Sequence, residues 1–147
     1  MRRIIMMLTV ALASAAVLAM SAVPALAVNP HEVPNNPIVC QEVQTEAGPA
    51  VSCSGSIAGL GTGDVIIGID VALACETRPG TNQPGGHLQA TTEPITPEHG
   101  RVNFSNLTTA AAECPPGLNP VVGETATVNV FSAETGALLF TTQVAIT

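Results

Sequence analysis

Breakers of regular structure fall at short intervals along this chain: Gly59-Leu60-Gly61-Thr62-Gly63, Arg78-Pro79-Gly80, Pro84-Gly85-Gly86, Pro94 and Pro97, then Pro115-Pro116-Gly117. No window between them shows a helical stripe of useful length, since Thr108 to Cys114 is both brief and flanked by turns. Apolar residues in those spaces alternate with polar ones. The clearest run puts Val65, Ile67, Ile69, Val71, Leu73 and Cys75 on one face and Gly68, Asp70 and Ala72 on the other. A period of two marks a half-buried strand. Val51, Cys53 and Ile57 share a face in the same way, as do Val102 and Phe104. Near the end Ala126, Val128 and Val130 alternate with Thr125, Thr127 and Asn129; Ser132 to Gly136 then turns the chain, and Phe140, Val144 and Ile146 return. Gly136 suits the left-handed position of that hairpin loop. Seven or eight short strands separated by turns predict an all-β fold, an antiparallel β-sandwich of immunoglobulin-like type, with a small β-barrel as the alternative.

The first residues are of another kind. Met1-Arg2-Arg3 precedes an apolar run from Ile4 to Met20, and Ala25-Leu26-Ala27 closes it after Pro24. A basic start, an apolar core and a small-x-small end form an export signal cut before Val28. A membrane anchor is the competing reading; Pro24 and the lack of a following basic cluster weigh against it. Residues 1–27 are therefore expected to be the signal, 28–37 an extended, poorly ordered leader rich in proline, and 38–147 a single domain.

Cys40, Cys53, Cys75 and Cys114 all follow the signal. An even count in a small exported domain predicts two disulfides, of which three pairings are possible. Chain geometry favours Cys40 with Cys53, across a turn at Glu46-Ala47-Gly48-Pro49, and Cys75 with Cys114. Cysteine-bound zinc and a redox dithiol both call for a close Cys pair that the spacing does not give.

Composition excludes several classes. Beyond the signal the chain carries Arg78 and Arg101 against eleven acidic residues, a formal charge of −9, with no lysine, tryptophan or tyrosine. Such a chain cannot neutralise a phosphate backbone or stack bases, so no nucleic-acid partner is expected, and anionic membrane surfaces are disfavoured. Schiff-base and Walker-type chemistry both require a lysine.

The segment Cys53-Ser54-Gly55-Ser56-Ile57-Ala58-Gly59-Leu60-Gly61, with Cys75, the loop Pro79 to Gly86 and the Cys114-Pro115 step, resembles a family of small exported bacterial β-rich proteins of unknown function. The resemblance spans most of the chain after the signal. It departs from the family pattern at Gly117-Leu118-Asn119, where a tryptophan is usual. It implies a β-rich exported domain and no activity.

Residues able to carry chemistry are few. His87 and His99 flank Glu93 and Glu98, but no Gly-x-Ser-x-Gly elbow is present, which disfavours a serine hydrolase. Asp64 and Asp70 point outward along one strand about 20 Å apart, too far to act as a pair. Asp64 after the glycine loop and Glu76 beside Asn82 are the candidate calcium ligands, against the plainer reading of solvating surface acids. Arg78 after Cys75 suggests an inhibitor loop, yet Pro79 stands where the residue after a scissile bond would be, without an amide hydrogen. The two sequons, Asn103-Phe104-Ser105 and Asn106-Leu107-Thr108, read as accidental.

These readings converge on a secreted or envelope-associated module without catalytic residues, cofactor or metal. It is expected to serve a structural or binding role, with a cell-surface polymer or protein as the partner class and no stable membrane insertion once the signal is removed. Binding is expected on the loops at one end of the sandwich. The alternative is a secreted hydrolase or protease inhibitor working through the 76–99 loop, where Arg78, His87 and His99 collect.

Overall fold

The computed structural model describes residues 28–147; the expected signal, 1–27, lies outside the described residues. Eight strands follow in order: β1 His31–Glu32, β2 Val39–Thr45, β3 Gly48–Ala58, β4 Val65–Glu76, β5 Asn82–Thr91, β6 Val102–Thr108, β7 Asn119–Ser132 and β8 Leu138–Ala145. They form two antiparallel sheets. In the first, β3 is central, with β2 and β1 along one edge and β6 along the other; the second has the order β5-β4-β7-β8. The sheets are not closed into a barrel, so the sandwich reading holds and the barrel alternative does not. Where they approach, an isolated parallel bridge joins Cys40 to Ile146.

The core follows the alternation in the sequence. Val65, Ile67, Ile69, Val71, Leu73 and Cys75 of β4 are all buried, as are Ala126, Val128 and Val130 beside them on β7. Facing them are Val51, Cys53 and Ile57 of β3 with Val102 and Phe104 of β6, in one continuous cluster. Each fully buried aliphatic side chain contributes about 1.5–3 kcal/mol. Gly136, at φ 70°, turns β7 into β8 as the hairpin signal requires.

Both disulfides are those the chain geometry favoured. Cys40 and Cys53 lie directly opposite each other in the β2–β3 hairpin, Cα atoms 4.1 Å apart, and Cys75 on β4 holds Cys114 in the segment before β7.

Two expectations are corrected. Residues 28–37 are not simply a loose leader, because His31–Glu32 pairs with Ile57 and Ala58, and Val33 and Ile38 are buried. Gly55 makes room for this packing: a Cβ there would stand 2.7 Å from the Ile38 Cα. Nor is 76–99 a loop throughout. Pro84-Gly85-Gly86 lies inside strand β5, opposite Leu73 and Ala74, with Gly85 as the extra residue of a bulge. Proline is tolerated because β5 is an edge strand with one unpaired side. A Cβ on Gly85 would stand 2.8 Å from the Cys75 sulfur, so glycine there serves packing as well as the bulge.

Candidate functional site

The residues singled out from the sequence are spread over the molecule. Asp64 and Glu76 bracket β4 at opposite ends. Asp64 accepts a hydrogen bond from the Thr96 hydroxyl at 2.7 Å, and Glu76 accepts one from the Gly80 amide at 2.8 Å. Each carboxylate thus closes a loop, and no group of three or more His, Cys, Asp or Glu side chains gathers among the described residues. Arg78 opens the turn Arg78-Pro79-Gly80-Thr81, closed by the Thr81 amide on the Arg78 carbonyl at 2.9 Å. Pro79 followed by Gly80 at φ 87° gives it the proline-glycine pattern of a type II turn.

His99 occupies a two-residue hairpin turn. Glu98 and Arg101 exchange both backbone hydrogen bonds, and His99 and Gly100 take φ values of 52° and 75°. Two consecutive positive φ angles are the mark of a type I′ turn. Glu98, His99, Arg101 and Asn103 line an open hollow of about 330 Å³ there. His87 is elsewhere, opposite Ala72 on β4, whereas the 95–101 segment joins β4 at Val65. Roughly 23 Å of strand separates the two pairing positions, so the two histidines do not form one site.

What β4 and β5 do bring together is Asp70, His87 and Gln89. Their register sets Asp70 against Gln89 and Ala72 against His87, so all three project from the outer face of the second sheet. His87 Nδ1–H donates to Asp70 Oδ1 at 2.6 Å, and Gln89 Nε2 donates to Oδ2 at 2.5 Å. The Gln89 amide foremost, then the neighbouring His87, holds the Asp70 carboxyl below its ordinary value against the opposing effect of partial burial. The site is open to solvent, the side chains being 60% exposed for His87 and 30% for Asp70. An aspartate on Nδ1 leaves Nε2 of the imidazole free to act as a base. Among the described residues, however, no serine, threonine or cysteine side chain is hydrogen-bonded to His87.

The outer face continues past this cluster in two rows that cross all four strands. One runs Gln89, Asp70, Thr127, Gln143; the next runs Thr91, Gly68, Asn129, Thr141. Gly68, having no side chain, leaves a hollow of about 220 Å³ bordered by Asp70, Gln89, Thr91, Asn129 and Phe131. Sequence reasoning placed Gly68 and Asp70 outward and His87 in a loop, but missed Gln89 and the rows. The alternation His87-Leu88-Gln89-Ala90-Thr91, with Leu88 buried, was the available signal for a strand.

No helix among the described residues is long and apolar enough to cross a membrane. No protein-family model and no curated protein matches the chain. Among solved structures it is similar to a calcium-binding mutant of Bacteroides uniformis beta-glucuronidase 2, at 14% identity and a TM-score of 0.39, over 72% of this chain; it spans 12% of that chain's length.

Proposed function

We propose that this protein is an exported, non-catalytic binding module that acts at or outside the cell surface through the outer face of its four-stranded sheet. The observation that carries this reading is the pair of polar rows around Gly68, set on hydrogen-bonded strands rather than on loops, where side chains are held in place by the sheet. Export is supported by two disulfides, which persist in oxidising compartments, and by the signal expected over residues 1–27. The proposal places the partner surface on the sheet face, not on the end loops that the fold class alone favours.

The Asp70–His87 pair supports a second reading, a hydrolase in which Asp70 orients His87 as general base. One experiment separates the two. Processed protein is followed through cell fractionation, and wild type and His87→Ala are compared for envelope retention and for turnover of ester, amide and glycoside substrates. Envelope retention with no turnover lost in the variant supports the module. Free protein with a turnover abolished by His87→Ala supports the hydrolase.

A further inference from the structure

We infer that the outer face of the β5-β4-β7-β8 sheet takes an uncharged, hydroxyl-rich polysaccharide, seated over Gly68; the inference rests on the binding-module reading above. The first support is the hydrogen-bonding character of the face. Thr91, Thr127, Asn129, Thr141 and Gln143 each carry both a donor and an acceptor, and among the described residues none of these side chains is hydrogen-bonded to another part of the chain. A sugar hydroxyl also donates and accepts, so a run of such groups can be met along both rows.

The second support is the hollow itself. Gly68 removes the side chain that would fill the centre of the second row, and the Phe131 ring borders the gap: a Cβ added at Gly68 would lie 3.6 Å from Phe131 Cε2 and 3.6 Å from Thr91 Cγ2. A mainly apolar lining with a few convergent polar groups is the usual make-up of a small-ligand site, and this hollow, with Phe131 beside Asp70, Gln89, Thr91 and Asn129, matches a pyranose ring, which has an apolar C–H face and a polar rim.

The third support is charge. Arg78 lies in the turn after β4 and Arg101 at the start of the first sheet's β6 segment, so neither faces these rows. An anionic polymer meets neither lysine nor arginine here. Within the two rows Asp70 is the acidic group, and both its oxygens are already engaged, by His87 and by Gln89, which weakens its pull on a cationic ligand; Glu76 stands on the same face at the far end of β4, with one oxygen on the Gly80 amide. Four strands about 4.8 Å apart give rows about 14 Å long, and successive rows lie about 7 Å apart. That is an open platform suited to an extended chain.

The test is affinity electrophoresis of the processed protein in native gels containing soluble β-glucan, xylan, galactomannan or dextran, with polygalacturonate as the anionic probe and chitosan as the cationic one. Wild type, Asn129→Ala, Gly68→Val and the first-sheet control Gln41→Ala are compared, with thermal melting of each to establish that it folds. Retardation by at least one neutral polymer is expected. It should weaken roughly tenfold in Asn129→Ala, the order of one hydrogen bond, disappear in Gly68→Val, and persist in Gln41→Ala. The inference is overturned if no neutral polymer retards the protein, if chitosan alone does, or if Asn129→Ala and Gly68→Val are both retarded like wild type. A protein that no polymer retards but that is retained in the envelope would lose this ligand and keep the module; one that is free and loses a turnover in His87→Ala would lose both.

Discussion

The two outer faces of the sandwich are built from similar residues and are arranged differently. On the first sheet the outward residues of β3 are small hydroxyls, Ser52, Ser54 and Ser56, and each is bonded to β6: Ser52 to Thr108, Ser54 to the Asn106 amide, Ser56 to Asn103. Asn36 of the N-terminal segment closes over this ladder by donating to Ser56, which is 1% exposed. Asn106, at φ 53°, is part of the extra β6 residue between the Cys53 and Gly55 pairings, and its amide is turned to Ser54 by that irregularity. On the second sheet the outward groups are larger amides and hydroxyls, with Gly68 buried between Phe131 and Thr91, and among the described residues no segment is hydrogen-bonded across the rows as Asn36 is on the first sheet. Polar groups that satisfy one another and are covered rigidify a layer; polar groups left in water are free to exchange it for a ligand.

The largest test of this contrast is at the disulfides, one in each layer. Replacing Cys75 and Cys114 by alanine opens the longer loop and should cost about 4 kcal/mol, against about 3 kcal/mol for Cys40 and Cys53. Denaturant midpoints read the order; equal or reversed losses would show that loop length does not set the worth of the two bridges. Next in size is the sealed face. Ser56→Ala removes the hydroxyl shared by Asn36 and Asn103 and should cost about 1–3 kcal/mol, while Thr127→Ala on the open face should change stability by less than about 0.5 kcal/mol. Comparable losses at the two positions, by the same chemical unfolding measurement, would break the contrast. Gly68→Ala should go the other way, gaining about 0.5–1 kcal/mol because glycine is unfavourable inside a strand and the added methyl makes ordinary contacts.

The smallest effect is on pH dependence. The Asp70 carboxyl is held below its ordinary value in the folded state, so its contribution to stability is fully present above the unfolded value, about 3.9, and is lost as pH falls through the lower folded value. Asp70→Asn should flatten that acid limb, seen as melting temperatures of variant and wild type converging between about pH 5 and about pH 2. A difference that stays constant across this range would show that the carboxylate's charge is not what Gln89 and His87 stabilise.

The covered layer and the open layer were not equally legible in the sequence. β4, β7 and β8 were readable because strict alternation coincides with burial, as at Val65 to Cys75, and because Gly136 marks the hairpin that fixes the β7–β8 register. β5 was hidden by Pro84-Gly85-Gly86, which punctuates most strands but is acceptable at a bulged edge. β1 was hidden because its pairing with β3 depends on where Val33 and Ile38 pack, a tertiary effect that local proline content obscures. The candidate site was half visible. Asp70 could be placed outward from its own strand, but its meeting with His87 and Gln89 depends on the β4–β5 register, which no local pattern sets.

The most direct measurement is amide NMR of the processed protein titrated with a soluble neutral polysaccharide oligomer that retards it in gels. If the open sheet is the binding surface, the shifted resonances belong to Gly68, Asp70, Gln89, Thr91, Thr127, Asn129 and their neighbours, and the serine ladder of the first sheet stays unmoved. Shifts centred on the His99 turn or on Ser52, Ser54 and Ser56 would contradict it.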